Sequence, residues 1–156
     1  MQTSSIVMRA ILVIIFMILW GQIALAQTMT TIEIYENGTA HWITEMRTVL
    51  TSQSGISQWN MTMRDTNKSK KDLEEFSNRI NGKIRSAENY SQRPMRARDF
   101  NISYETISIQ SNYYSIIRLS FEWENFSRQN DSKLIIGDAF SEEMMPSSDN
   151  VLVIKI

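Results

Sequence analysis

The sequence predicts an α+β domain, in which an antiparallel sheet of four to six strands carries two helices on one face, in the order β-β-α-α-β-β-β. Apolar and polar residues alternate over residues 29–50 and again after Pro94, which is typical of strands with one buried face. Between these regions apolar residues recur every three or four positions, which is typical of amphipathic helices. Strands and helices segregated in this way favour helices layered on one face of an antiparallel sheet.

Residues 29–50 are predicted to form a β-hairpin. Ile32 and Ile34 alternate with polar residues in the first strand, and Glu36-Asn37-Gly38 is the predicted turn, because Asn-Gly tolerates the positive φ angles of a tight hairpin. The second strand is expected to bury one face and to leave the other partly exposed to solvent. The face expected to be buried consists of Ala40, Trp42, Thr44, Met46, Thr48 and Leu50.

Two helices are predicted between the hairpin and Pro94. The first is indicated by three apolar residues at helical spacing: Ile56, Trp59 and Met63. After residues 65–68 a stronger helix carries an apolar stripe: Leu73, Phe76, Ile80, Ile84 and Ala87. Ser69 followed by Asp72 resembles a capping box and is the predicted start. Gly82 weakens the centre of this helix by about 1 kcal/mol relative to Ala, and Pro94 ends it.

A second hairpin is predicted from residues 100–110 and 113–124, with Ser111-Asn112 as its turn. The strand 113–124 has the most hydrophobic face after residue 26, and we expect it to be central and to pack on the stronger helix. Its innermost side chains are expected to be Leu119, Phe121 and Trp123. Two shorter strands, Leu134–Ile136 and Val151–Ile156, complete the predicted sheet.

The first 26 residues have the pattern of a secretory signal peptide. Arg9 is their only charged residue, and it is followed by eleven apolar residues, Ala10–Trp20, and by Ala24-Leu25-Ala26. We expect either cleavage after Ala26 or retention of the segment as an N-terminal anchor, since the run extended to Ala26 has seventeen residues, at the lower limit for spanning a bilayer. Residues 27–156 are expected to form one exported domain, extracellular or at the cell surface.

Charge and cysteine content exclude several classes of protein. Residues 27–156 carry 15 basic and 17 acidic side chains, a net charge of −2, so we expect no nucleic-acid partner. There is no cysteine, which excludes disulfides and thiolate metal sites. A basic cluster follows the second helix, and we interpret it as solvated charge near a helix C-terminus, although it could contact acidic lipid or glycan: Arg93, Arg96 and Arg98.

Acceptor sequons for N-glycosylation are unusually frequent. Seven of the eleven asparagines start an Asn-x-Ser/Thr triplet: Asn37, Asn60, Asn67, Asn89, Asn101, Asn125 and Asn130. With this Ser and Thr content about two would be expected by chance. Five of them fall in predicted turns or polar loops, where a glycan costs no packing: Asn37, Asn60, Asn67, Asn125 and Asn130. The excess favours an exported protein with glycan attachment, although an Asn- and Ser-rich composition can also produce sequons that are never used.

Few residues could carry chemistry. His41 is the only histidine, and we interpret it as a partly exposed strand residue. Glu122 and Glu124 could act as the acid and the nucleophile of a glycosidase, but they share one strand face, and we interpret them as solvated. Asp138 lacks the further oxygen ligands that a hard cation needs. We therefore assign no catalytic, cofactor-binding or metal-binding residue and no cofactor.

Three segments together resemble the extracytoplasmic domain of a family of archaeal membrane-anchored proteins: TTIEIYENGTAHWITEMR, LSFEWENFS and LIIGDAF, at residues 30–47, 119–127 and 134–140. Fuller members of that family carry a transmembrane helix and a cytoplasmic winged helix-turn-helix, so the resemblance implies a sensor or regulator. The sequence stops at Ile156 without those parts. We therefore expect a free-standing version, one piece of a split system, or a truncated relative.

These observations lead to one main functional expectation and two alternatives. The main expectation is an exported, non-enzymatic archaeal surface domain that acts in interaction or sensing, with a membrane protein or a cell-envelope component as a possible partner. One alternative is a secreted carbohydrate-active enzyme that uses Glu122 and Glu124. The other is a structural or truncated envelope paralogue without a ligand.

Overall fold

The computed structural model describes residues 27–130, 133–136 and 151–156. These residues form seven strands and two helices: β1 (Gln27–Ile34), β2 (Ala40–Leu50), α1 (Gln53–Arg64), α2 (Thr66–Ser91), β3 (Arg96–Ile109), β4 (Asn112–Glu124), β5 (Arg128–Asn130), β6 (Lys133–Ile135) and β7 (Val151–Lys155). The predicted α+β class with two helices is confirmed. The predicted signal peptide and Asp138 lie outside the described residues.

Five strands form one sheet in the order β3-β4-β2-β1-β7. Strands β1 to β4 pair antiparallel, as predicted, whereas β7 pairs parallel with β1, so the sheet is mixed at this edge. The strand predicted at Leu134–Ile136 is found at Lys133–Ile135, but it pairs only with β5 in a separate two-stranded sheet. The apolar pattern of a short strand does not encode its direction or its neighbour, because both depend on contacts distant in sequence.

Both predicted hairpins are present. In the first, Gly38 has φ +84°, its N–H donates to the Tyr35 carbonyl at 2.9 Å, and the Thr39 N–H donates to Asn37 Oδ1 at 3.0 Å. In the second, positive φ angles of 49° and 71° fall at Gln110-Ser111, one residue earlier than the predicted turn. Two successive positive φ angles match the twist of the flanking antiparallel strands.

The N-cap of helix α2 lies four residues before the predicted one. The Asp65 carboxylate accepts hydrogen bonds from the N–H groups of Asn67 and Lys68, both at 3.0 Å, so Asp65 is the N-cap and the prediction of Ser69 is wrong. The helix continues through Gly82 for 26 residues and ends at Gln92, whose φ of 52° is left-handed. Asp and Ser are both good N-caps. Asp65 is also the C-cap of α1.

The core lies between α2 and the face of the sheet on which both helices pack, which we call the helix-side face. Phe121 and Trp123 are 4% and 1% exposed, as predicted for the central strand β4. The Phe121 ring lies 6.0 Å from that of Phe76 on α2 and 5.7 Å from that of Phe100 on β3, between ring centroids. These aromatic contacts hold α2 against the sheet.

The width of α2 determines which part of the sheet it covers. A helix with side chains is about 10 Å wide, whereas neighbouring strands are about 4.8 Å apart, so one helix covers about two strands. Helix α2 runs along β3, at one edge of the sheet. Within the described residues it therefore leaves a groove beside it, over the helix-side face of β2, β1 and β7. Neither described helix combines the length and the apolar character needed to cross a bilayer.

Candidate ligand-binding groove

A groove of about 510 Å³ lies between α2 and the helix-side face of the sheet, and we call it the α2 groove. Strands β1, β2, β4 and β7 contribute its floor, and α2 contributes one wall. Its volume falls within the range of about 300 to 1,000 Å³ that is usual for small-molecule sites. Most of its lining is apolar, including Trp42, Met46, Ile80, Phe121 and Leu152.

Three threonines interrupt this apolar lining on the floor. Thr28 and Thr30 lie on β1, and Thr44 lies on β2 directly opposite Thr30. The hydroxyl oxygens of Thr30 and Thr44 are 3.3 Å apart and share a hydrogen bond. Because alternate residues of a strand face the same side, these positions would ordinarily hold aliphatic side chains. A threonine hydroxyl can donate and accept hydrogen bonds, so the floor offers both functions to a ligand.

An aromatic cluster closes one side of the α2 groove. The Trp42 ring centroid lies 5.9 Å from that of Phe121 and 5.7 Å from that of Trp123. Trp123 is 1% exposed, and its indole N–H has no hydrogen-bond partner in the described part of the chain. An unsatisfied buried donor costs about 1 to 3 kcal/mol.

The wall formed by α2 is cationic. Arg79 and Lys83 lie one turn apart on the helix, and both line the α2 groove. The Arg79 guanidinium carbon lies 6.0 Å from the centroid of the Phe76 ring, a cation–π distance. Among the described residues, no carboxylate lies within ion-pairing distance of Arg79. Arg79 therefore places on this wall a positive charge that no described carboxylate neutralises.

A smaller cavity of about 190 Å³ shares Met46, Phe76, Arg79 and Leu119 with the α2 groove, and Asp72 and Glu75 line it. These acids are held by lysines one turn earlier: Lys68 Nζ lies 2.5 Å from Asp72 Oδ2, and Lys71 Nζ lies 3.8 Å from Glu75 Oε1. None of the described residues that line the α2 groove itself is acidic. Asp72 and Glu75 therefore line only the smaller cavity, whereas Arg79 lines both.

Tyr104 on β3 positions α2 over the sheet. Its hydroxyl donates a hydrogen bond of 2.6 Å to Asp72 Oδ2. Hydrogen bonds from Lys68 and then from Tyr104 hold the pKa of Asp72 below its usual value. Burial, followed by the hydrogen bond to Asp72, raises the pKa of Tyr104. This bond ties the N-terminal part of α2 to β3.

The two glutamates considered as a glycosidase pair lie on the opposite face of the sheet from the α2 groove. Arg98 on β3 donates from Nε to Glu124 Oε1 at 2.6 Å, and it also pairs with Glu122 and Asp99. Both glutamates therefore bind the same guanidinium group, that of Arg98, and do not face each other across a cleft. The interpretation of Arg98 as solvated charge is incomplete, because this residue is the centre of an ion-pair cluster.

His41 lies on the same opposite face, in register between Glu33 on β1 and Glu122 on β4. Glu33 is also bound by Lys155 of β7, at 2.8 Å, and this hydrogen bond lowers the pKa of Glu33. Within the described residues, no group of three or more His, Cys, Asp or Glu is arranged to hold a metal ion.

Arg93 and Arg96, the other two members of the basic cluster, lie in different environments. Arg93 Nη2 donates to the Phe126 carbonyl at 2.9 Å, so the interpretation of Arg93 as a solvated charge is wrong. This bond ties the end of α2 to the turn after β4. Arg96 is exposed at the start of β3, as expected.

An ion-pair network that the sequence patterns did not reveal lies on the opposite face. Glu45 on β2 is buried, and it accepts from Arg47 Nε at 2.5 Å and from Arg118 Nη2 on β4 at 3.0 Å. Arg118 also binds Glu105 on β3 at 2.5 Å. Burial alone would raise the pKa of Glu45, but the hydrogen bonds from Arg47 and Arg118 outweigh it and keep this pKa below its usual value. The network joins three strands.

All seven sequon asparagines are exposed: Asn37, Asn60, Asn67, Asn89, Asn101, Asn125 and Asn130. Two of them were expected in loops but lie on helices, Asn60 on α1 and Asn67 in the first turn of α2. Asn130 was also expected in a loop and lies in β5. Helix α1 continues to the cap of α2 without the polar loop that was predicted, because Asp65 serves both helix ends.

The described residues define a two-layer α+β domain in which a mixed sheet carries two helices on one face. A family model described as a domain of unknown function, DUF7345, matches residues 31–156, and the chain belongs to this family. Comparisons with curated proteins and with solved structures find no match.

Proposed function

We propose that this protein is an exported, non-enzymatic surface domain that acts in interaction or sensing, and that it does so by binding a small apolar ligand in the α2 groove. The observation that carries the proposal is the groove itself, about 510 Å³ in volume and lined by aromatic and aliphatic side chains with a few hydroxyls. Concave apolar sites with a small number of polar groups are the usual form of ligand pockets.

The chemistry of the lining supports binding rather than catalysis. The described residues around the α2 groove include no histidine and no carboxylate, the side chains that most often transfer protons in enzymes. The best carboxylate pair, Glu122 and Glu124, is engaged by Arg98 on the other face of the sheet. A carbohydrate-active enzyme would need such a pair beside an open cleft.

The proposed location rests on the sequence. The signal-like pattern of residues 1–26 and the resemblance to extracytoplasmic domains of archaeal membrane-anchored proteins favour export to a cell surface. The exposure of all seven sequon asparagines allows glycans to attach without disturbing the core. A membrane protein or a cell-envelope component is the proposed partner, to which the domain would report the occupied state of the α2 groove.

The test measures binding of a neutral apolar fluorophore, N-phenylnaphthylamine, to the full chain. Thr28 and Thr31 lie on the same strand and face opposite sides of the sheet, so they form a matched pair. We expect Thr28→Trp to fill the groove and to weaken probe binding by about tenfold or more, while Thr31→Trp changes it by less than about twofold. Circular dichroism confirms that both variants fold.

Two results would overturn the proposal. One is the absence of saturable binding to the wild-type chain. The other is equal binding by the two tryptophan variants, which would place the probe elsewhere. Hydrolysis of a surface polysaccharide by the pure protein, lost in Glu122→Gln or Glu124→Gln, would instead favour the enzyme alternative.

A further inference from the structure

We infer that the ligand of the α2 groove is a single-chain amphiphile with an anionic end group, and that Arg79 holds the anion. This inference rests on the proposed function and specifies its ligand class. It depends on three features of the described residues: the positive charge of Arg79 on the α2 wall, the absence of acidic side chains from the described lining of the α2 groove, and the apolar floor.

Arg79, on the wall formed by α2, provides the anion site. Arg79 lies over the face of Phe76, which itself lines the α2 groove, so the guanidinium is placed at the edge of the apolar surface. A guanidinium can donate two parallel hydrogen bonds to a carboxylate, and such charge-assisted bonds are stronger than neutral ones. Since no carboxylate of the described chain pairs with Arg79, an external anion can take that place.

The distribution of acids gives the groove its selectivity for charge. Asp72 and Glu75, on the same helix, line the neighbouring cavity and are bound to Lys68 and Lys71. An anion that approaches Arg79 from the α2 groove therefore meets a wall without acidic side chains among the described residues. A cationic ligand would meet Arg79 in the same place and be repelled.

The apolar floor accounts for the rest of the ligand. Trp42, Phe121 and Leu152 provide surface against which an aliphatic chain can be removed from water. The volume of about 510 Å³ lies within the range of about 300 to 1,000 Å³ for sites that bind drug-sized ligands, a size class that includes single-chain amphiphiles. Each methylene buried there should raise the affinity by about fourfold.

The experiment compares ligands of one chain length and different end groups. Isothermal titration of the full chain near neutral pH is carried out with decanoate, decanol and decyltrimethylammonium, each below its micellar concentration. We expect decanoate to bind about tenfold more tightly than decanol, and the cation to bind most weakly. Octanoate should bind about fifteenfold more weakly than decanoate, since it lacks two methylenes.

Variants then identify the residue that holds the anion. Arg79→Gln should bind decanoate and decanol with equal affinity, whereas Arg79→Lys should keep a reduced preference for decanoate. The matched control is Arg85→Gln, an exposed arginine on α2 that does not line the groove, and it should keep the wild-type preference.

The outcomes separate this inference from the proposed function. Equal binding of decanoate and decanol by the wild-type chain would overturn the anion site and leave the groove as a binding site. A preference for decanoate that persists in Arg79→Gln would overturn the role of Arg79, and an affinity independent of chain length would overturn the amphiphile. If none of the three ligands binds and the neutral fluorophore also fails, the proposed function itself falls.

Discussion

The same substitution at two glycines is expected to change stability in opposite directions. Gly38 lies in the β1–β2 turn with φ +84°, and a Cβ atom there would lie 2.9 Å from the Ser127 carbonyl oxygen. That oxygen cannot easily move, because the Ser127 N–H donates to the Gly38 carbonyl at 3.0 Å. The left-handed φ costs an alanine about 1 to 2 kcal/mol, and the close contact adds about 1 to 3 kcal/mol. We therefore expect Gly38→Ala to lower the free energy of unfolding by about 2 to 5 kcal/mol.

Gly82 provides the opposite case. It lies in the middle of α2, it is exposed, and a Cβ atom added there would meet no other part of the described chain within 4 Å. Alanine is favoured over glycine inside a helix by about 0.8 to 1 kcal/mol. Gly82→Ala should therefore raise the free energy of unfolding by about that amount.

Urea unfolding of the full chain, followed by far-ultraviolet circular dichroism, measures both effects. With a slope of about 2 kcal/mol per molar urea, Gly38→Ala should lower the midpoint by about 1 to 2.5 M and Gly82→Ala should raise it by about 0.4 to 0.5 M. A Gly38→Ala midpoint equal to that of the wild type would refute the close contact between the turn and Ser127. A Gly82→Ala protein less stable than the wild type would refute a continuous, exposed α2.

Two charge substitutions test the networks on either side of the sheet. Glu45→Gln should lower the free energy of unfolding at about pH 7 by about 1 to 2 kcal/mol, discounted because Arg118 is partly exposed. The folded pKa of Glu45 is lowered, so its stabilisation is present above the unfolded pKa and is lost as the pH falls through the folded pKa. Glu45→Gln should therefore reduce the loss of stability at acidic pH in a plot of the free energy of unfolding against pH. An unchanged loss at acidic pH would contradict the ion pairs of Glu45. Asp72→Asn should bring the raised pKa of Tyr104 down towards about 10, seen by phenolate absorbance, and an unshifted titration would contradict the 2.6 Å hydrogen bond.

Local patterns in the sequence predicted the elements well. Alternation predicted β1 to β4, and the spacing of Phe76 and Ile84 predicted α2, because one-sided burial imposes the period of the backbone on the sequence. The pattern also placed Thr44 on the inward face, and this is the one signal for the polar floor of the α2 groove. It did not distinguish Asp65 from Ser69 as the cap, since either side chain can accept the orphaned N–H groups.

The α2 groove and the ion pairs depended on the tertiary structure. Arg79 could be placed beside the apolar stripe of α2 from its position in the sequence, but not in one groove with Leu152, because β7 reaches β1 by a parallel pairing between distant residues. Glu45 and Arg118 are 73 residues apart and meet only through the register of β2 on β4. The sequence by itself determined the local period and the buried faces. Register, strand direction and the position of α2 were decided by packing, since they follow from contacts between segments that no local pattern connects.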